Sequence, residues 1–321
     1  MKNLLFVFNP CSGAGKICKH VAEILDVFTK AGYEATAYPT QAAGDGVRII
    51  KEQGENFDRI VVAGGDGMLH ELINGVLSLE KEVEVGYIPM GTVNDFAATH
   101  RMTKDPVEAA KIAVSDNVKA LDVGKFEEEY VSYVAAFGFG AGASYETPQK
   151  AKKRWKMLAY IANALKGLRP KRFKAMARKM TVTADNAVLK GEFIFGAVSN
   201  SFSIAGFKNL TDKNSEFDDG LLEGLFILRP KKWREWRQVA KGLLSRDFNL
   251  PGLLFVRAEK FDIVAEKPTR WSLDGENGGE HEHVTMAVQK RVLKIALPAN
   301  DGKKEEKKSH KKEEKHTKET K

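Results

Sequence analysis

The sequence predicts an α/β N-terminal domain built on a parallel sheet, followed by a mostly antiparallel β domain. Three observations lead there. The chain has 321 residues, 43% of them apolar, which suits two cores of about 150 residues each rather than one. Strand-like and helix-like patterns alternate through residues 1–125, and that rhythm calls for a parallel sheet covered on both faces. From 126 to 283 the pattern changes to short strands and hairpins.

In order, "NLLFVFNP" reads as a strand ending in a loop, and "KHVAEILDVFTKAG" as an amphipathic helix closed by Gly32. "YEATAYPT" is a second strand, "GDGVRIIKEQ" a second helix, and "RIVVAGGDG" a third strand with its loop. "MLHELINGVLS" places Leu69, Leu72, Ile73 and Val76 on one helical face, and "VEVGYIPMGT" returns to strand. In the second half, "EYVSYVAAFGFG", "KMTVTADNAVLKGEFIFGAVSN", "LLEGLFILRP", "KFDIVAEKPTRWSLDGE" and "HVTMAVQKRVLKIALP" read as strands, with helices around 151–168 and 231–245. Residues 284–298 form a last strand free to rejoin the first domain. Residues 301–321, rich in Lys and Glu with no large apolar side chain, are expected to be disordered.

Cys11 and Cys18 lack the paired spacing of a zinc site and point to a reducing cytoplasm. The apolar run before Pro10 is too short for a signal peptide, and no stretch suits a membrane span. Net charge is +8, concentrated in 150–179, which holds Lys and Arg but no acid. Trp155, Leu158, Ile161, Leu165 and Leu168 recur there at helical spacing. That pattern fits a surface helix packed on its own domain, or an interfacial helix meeting an anionic membrane. Four cations at ~1 kcal/mol each would favour the bilayer about a thousandfold. Aromatic residues are not interleaved with the cations, so no nucleic-acid partner is expected.

Three loops carry the chemistry. In "NPCSGAGK" (9–16), Gly13 and Gly15 let backbone N–H groups turn toward an anion, a helix from about Ile17 adds its positive end, and Lys16 supplies a full charge. Pro10 and Ile17 stand where a Walker motif needs Gly and a hydroxyl residue. In "GGDG" (64–67), the glycines allow close backbone approach, yet Asp66 would repel a bare phosphate. The carboxylate makes sense beside a divalent cation, as an acceptor of a hydroxyl proton, or as the cap of the following helix. "IPMGTVNDFA" (88–97) adds Gly91, the neutral hydrogen-bonding groups of Thr92 and Asn94, and a second acid, Asp95, where a helix begins.

Taken together, "NPCSGAGK", "GGDGMLHELINGV", "IPMGTVNDFA", "ALDVGKF", "FDDGLLEG" and "SLDGENGG", in this order over about residues 3–298, resemble the diacylglycerol kinase catalytic-domain family, which includes bacterial soluble lipid kinases and sphingosine kinases. The resemblance implies a phosphofructokinase-like nucleotide domain (1–125), a β-rich lipid-substrate domain (126–283) and an active site in the cleft between them. It assigns Asn9, Ser12, Gly13, Gly64, Gly65, Gly67, Thr92 and Asn94 to ATP, with Lys16 as a phosphate contact. Asp66, Asp95 and Asp122 are similar to the family's active-site acids, and Asp274 and Glu276 to the far domain's acid and base. "SEFDDGLLE" looks like the loop that holds a structural magnesium, with Asp219 as side-chain ligand and carbonyls from about Glu216 and Leu221. Two positions depart from the family pattern: Met68 stands where threonine is common, and Ala98 where an arginine often lies, Arg101 being nearest.

The implied activity is ATP- and Mg²⁺-dependent phosphorylation of a membrane lipid hydroxyl, foremost diacylglycerol. Glu276 is the expected base, and Asp274 its partner or, in "LDGE", a simple hairpin turn. The Gly-rich "AAFGFGAGAS" and the "SNSFSIAGF" segment are candidate walls for the acyl chains. The expected location is cytoplasmic, with peripheral membrane contact through 150–179, and a homodimer is left open. The rival readings are an NAD kinase-like enzyme, which lacks a loop for a second nucleotide, and a catalytically silent binder, which has no use for acids beside ATP.

Overall fold

The structure, a computed structural model, describes residues 1–92, 94–138, 177–200, 219–245 and 247–299. The basic run up to 176, Glu216, the tail at 301–321 and most of both candidate groove walls lie outside the described residues.

Four strands, β1 (Lys2–Phe8), β2 (Tyr33–Pro39), β3 (Arg59–Gly64) and β4 (Glu84–Pro89), pair in parallel in the order β2-β1-β3-β4. The two central strands read as continuous apolar runs because both their faces are covered; every residue of β3 is buried. Helices α2 (Asp45–Gln53) and α3 (Asp66–Val76) cover one face through Ile49, Ile50, Leu69, Leu72 and Ile73. On the other face lie α1 (Val21–Lys30), through Ile24 and Phe28, and α5 (Pro106–Ala113), through its alanines. The short α4 (Asp95–Thr99) follows β4.

The chain leaves β1 toward β2 on one side and returns to β3 on the other, so the switch in winding falls between β1 and β3. Ligands collect at such a crevice, beyond the carboxyl ends of the strands. The first two glycine loops leave β1 and β3 there, and the third leaves β4 alongside.

The remaining strands are β5 (Val118–Phe126), β6 (Glu129–Val131), β7 (Val134–Gly138), β8 (Arg178–Ala184), β9 (Ala187–Ser199), β10 (Leu222–Leu228), β11 (Leu253–Ala258), β12 (Lys260–Leu273) and β13 (Glu276–Ala296). They pair antiparallel with one another, around a core of Phe126, Phe137, Phe193, Phe226, Phe261 and Trp271. The long β13 runs from the β12 hairpin, past β5, to a parallel bridge between Ile295 and Val85 of β4. One sheet path therefore connects both halves, and the hairpin turn at its far end is carried on a strand anchored in the first sheet. Helix α6 (Trp233–Ser245) covers the other face of β9 and β10 through Trp236, Val239 and Leu243.

Three elements escape the sequence pattern, among them strand β5, whose "ALDVGKF" stands out only as a motif. Helix α5 buries only small alanines and so shows no strong apolar stripe, though its cap is plain: Asp105 Oδ1 accepts the N–H groups of Val107 and Glu108, and Pro106 occupies the first turn. Strand β11, "LLFVRA", is half-buried and lies at the sheet's edge.

Candidate active site

In the first loop, Asn9 Oδ1 accepts the Cys11 N–H at 2.9 Å and its carbonyl accepts the Ser12 N–H at 3.0 Å. Gly13, Ala14 and Gly15 follow in one left-handed run, with φ of 61°, 60° and 79°. A β-carbon on Gly13 would lie 3.2 Å from the Met90 carbonyl, so this loop packs directly on the third. The α-helix expected from Ile17 begins at Val21; a 3-10 turn, Lys16–Lys19, precedes it and leaves Lys16 exposed.

The second loop is tighter than expected. Helix α3 starts at Asp66, its N-cap is Gly65, and no side chain caps it. Asp66 is therefore the first helical residue rather than its own helix's cap. Its Oδ1 instead accepts the N–H of Asp95 at 2.7 Å, so one carboxylate holds the start of α4 to the start of α3. Met68, at the family's threonine position, is buried against Gly64 and Gly46 and contributes packing, not a hydroxyl.

The third loop is locked by Asn94. Its Oδ1 accepts from Gly91 N–H (2.9 Å) and Tyr87 Oη (3.3 Å), while Nδ2 donates to the Gly91 carbonyl (2.8 Å). Asn94 is buried, so its amide braces the loop, whereas Thr92 is exposed. Met90 N–H donates to the Gly64 carbonyl at 2.7 Å. A β-carbon on Gly91 would fall 2.6 Å from the Gly65 Cα, and Gly65 would meet Gly91 in turn at 3.4 Å. Backbone lies on backbone there, which only glycine permits.

Across the cleft, Asp274 and Gly275 form the β12–β13 turn with φ of 51° and 96°. Asp274 is more than a turn residue. Its side chain is 1% exposed. It accepts from Ser132 N–H and Oγ and Tyr133 N–H, each at 2.8 Å, from Val134 N–H at 3.0 Å, and from His70 Nδ1 at 2.9 Å. His70 Nε2 lies 2.9 Å from Glu129 Oε1. Burial alone would strip the proton from His70, but hydrogen bonds to Asp274 and Glu129 outweigh it and push its pKa up to about 10. Burial likewise opposes the Asp274 charge, yet His70 and the Val134 and Ser132 donors hold it below the usual carboxylate range. An imidazolium on α3 thus clasps a carboxylate on the far hairpin.

Two residues beyond, Glu276 is exposed. Its Oε1 lies 3.6 Å from the place a Gly67 β-carbon would take. Gly67 and His70 are one turn apart on the same face of α3, so the helix meets the hairpin at two points and Glu276 reaches the glycine loop.

Asp122 lines a cleft shared with Phe96, Ser132 and Tyr133. It is buried and braces the β domain: Oδ2 accepts from Gly220 N–H and Oδ1 from Arg291 N–H, both at 2.8 Å. That narrow cleft of about 20 Å³, room for one water, runs between Phe96, Thr99, His100, Tyr133 and Asn200. Burial, helped by the Lys119 charge, lowers the His100 pKa to about 4 and keeps it neutral.

Asp219 Oδ1 accepts the Leu221 N–H at 3.1 Å, while its other oxygen pairs with the Arg257 guanidinium. In this arrangement the guanidinium takes the place a cation would occupy, and the described part of the loop does not fit a metal. Among the described residues, no group of three His, Cys, Asp or Glu side chains gathers as a metal cage. The Asp66–Asp95 corner still fits magnesium of the kind that keeps its waters and binds through one or two carboxylates plus phosphate oxygens.

His70, Glu129 and Ser132 are the residues that the sequence reading missed. The one available signal was the place of His70 one turn after Gly67, on the face that carries the loop.

A sequence model described as the diacylglycerol kinase catalytic domain matches residues 3–126. A diacylglycerol kinase of Staphylococcus carnosus (strain TM300) is 30% identical over 311 residues, covering 94% of this chain and 99% of the relative. One of Bacillus subtilis (strain 168) is 29% identical over 306 residues, covering 90% and 98%. A crystal structure of a diacylglycerol kinase from Bacillus anthracis str. Sterne shares the fold with a TM-score of 0.70 at 21% identity, over 93% of this chain and 97% of that one. With its glycine loops, "LDGE" turn and full-length relatives in agreement, this chain belongs to the diacylglycerol kinase family.

Proposed function

We propose that the chain is an ATP- and Mg²⁺-dependent lipid kinase that transfers the γ-phosphoryl group of ATP to the free hydroxyl of diacylglycerol. The observation that carries this is the approach of Glu276 to Gly67: a carboxylate from the far hairpin stands over the open start of a helix that lacks a side-chain cap. A helix start of this kind receives phosphate, and a carboxylate beside it can take a proton.

In this reading residues 1–125 hold the nucleotide on a phosphofructokinase-like parallel sheet, and 126–283 hold the lipid. The uncapped N–H groups of α3, the left-handed run at Gly13–Gly15 and the exposed Lys16 bind the phosphates, with Asn9, Ser12, Gly64, Gly65, Thr92 and Asn94 shaping the walls. Asp66 and Asp95 would hold magnesium, which would offset the negative charge of the phosphates. Glu276 accepts the hydroxyl proton as the lipid oxygen bonds to the γ-phosphorus and the bond to the β-phosphate oxygen breaks, releasing ADP. Asp274 does not share that proton. Five donors and the His70 charge keep it ionised, and it fixes Glu276 in place.

No helix among the described residues is long and apolar enough to cross a membrane. The enzyme is read as cytoplasmic, meeting the bilayer through 150–179, with room for a homodimer. Incubation with labelled ATP, Mg²⁺ and vesicles carrying diacylglycerol, a sphingoid base, a polyprenol or no acceptor, with NAD in parallel, tests the reading. Label should enter only the diacylglycerol phase. Label in NAD, or in no acceptor at all, contradicts it.

A further inference from the structure

Helix α6 has two unlike sides. Inward, Trp236, Val239 and Leu243 pack on Ile194, Phe195, Leu225 and Ile227 of β9 and β10. Outward, Lys231, Lys232, Trp233, Arg234, Arg237 and Lys241 are all exposed. Trp233 is 63% exposed, the only aromatic among the exposed large apolar residues described. The helix's one acid, Glu235, turns back to accept the N–H groups of Lys231 at 2.6 Å and Lys232 at 3.3 Å. The nearest acid past its end is Asp247.

An ordinary solvated helix mixes both signs on its outer face and does not expose a tryptophan. A lone indole flanked by cations is what sits at headgroup depth on an anionic bilayer. Nucleic acid would call for several aromatic platforms along the cationic track, and α6 presents one. The described chain also re-enters at Ala177, packed on this same cluster, and Arg178 and Lys179 follow as the last residues of the basic run. Lys179 pairs there with Glu266 at 3.4 Å, so α6 carries the unneutralised cations.

We propose that the outer face of α6, headed by Trp233, is a docking surface for anionic membrane lipid. The lipid headgroups pair with Arg234, Arg237 and Lys241 while the indole enters the interface. This rests on the reading that the acceptor is a membrane lipid, and it adds α6 to 150–179 as a surface that brings the enzyme to it.

The test is co-sedimentation of the full chain, without ATP, with vesicles of phosphatidylcholine alone or of an equal mixture with phosphatidylglycerol. The wild type should bind the mixed vesicles, more weakly as salt rises. The combined Arg234→Gln, Arg237→Gln, Lys241→Gln variant should lose about fivefold per cation, on the order of a hundredfold in all. Indole emission should shift blue on mixed vesicles, a shift that Trp233→Phe removes. Thermal melting confirms folding; if the combined variant does not fold, Lys241→Gln alone should still lose about fivefold. Binding by the variants within about twofold of wild type, or equal binding to neutral vesicles, would overturn the proposal. Turnover of a short-chain diacylglycerol dispersed as monomer should be unchanged in the α6 variants. If the wild type phosphorylates no lipid yet binds vesicles through α6, the kinase reading fails and the docking surface stands.

Discussion

At the carboxyl ends of β1, β3 and β4 glycine lets backbone pack on backbone, with Asn94 and Asp66 bracing the loops, whereas across the cleft the β12–β13 turn is held by buried Asp274, bonded to four donors of residues 132–134 and ion-paired with His70. The first arrangement needs absent side chains: Gly65 and Gly91 touch because neither has a β-carbon. The second needs charge: His70 lies between Asp274 and Glu129, 2.9 Å from each. A glycine contact does not respond to pH, salt or a neighbour's ionisation. An ion pair responds to all three, so the glycine loops should behave as the fixed side and the hairpin as the adjustable one.

The largest break in that contrast is Asp274→Ala. It strands the His70 cation and four further donors in a buried site, and the loss should be about 3–5 kcal/mol in chemical denaturation. A loss below about 1 kcal/mol would mean the clasp is not an ion pair. Next, Gly91→Ala drives a β-carbon into the Gly65 backbone and should cost about 1–3 kcal/mol. Its signature is weaker ATP binding measured by calorimetry, with the hairpin's hydrogen-exchange protection intact. Loss of hairpin protection instead would show that the two regions are not separable.

The pH dependence sharpens the comparison further. His70 has a raised folded pKa, so the stability it adds is complete below its ordinary value of 6.5, declines as pH rises, and is gone above about 10. The stability gap between wild type and His70→Asn should therefore shrink from pH 7 toward pH 10. A gap that widens over that range contradicts a charged His70. The smallest effect is expected from Glu129→Gln, because that carboxylate is 47% exposed; the change should stay within about 1 kcal/mol.

The same contrast explains what the sequence could and could not disclose. Gly64, Gly65, Gly67 and Gly91 stand out because close backbone approach leaves a mark in residue type, at strand ends that the apolar runs already locate. Asp66 is conspicuous as an acid, but its bond to the Asp95 N–H spans 29 residues and depends on how two loops cross. Asn94 has the look of a ligand-facing amide, yet its left-handed φ turns the amide onto its own loop. His70 and Asp274 lie 204 residues apart. A single histidine on an apolar helix carries no sign of a partner at that distance, so the clasp appears only once β13 brings the hairpin back to the first sheet. Asp122, grouped with the acids by resemblance, also accepts the N–H groups of Gly220 and Arg291, partners 98 and 169 residues away that the sequence does not mark.

In the proposed reaction Glu276 works across Gly67 while Asp274 only holds it there. Single-turnover transfer from ATP to diacylglycerol by Glu276→Gln, with ATP affinity measured on the same preparation, tests this most directly. The expected result is a loss of on the order of 10²-fold or more in transfer, with ATP affinity unchanged. Transfer within about threefold of wild type would remove Glu276 from the reaction and, with it, the hairpin's place in the site.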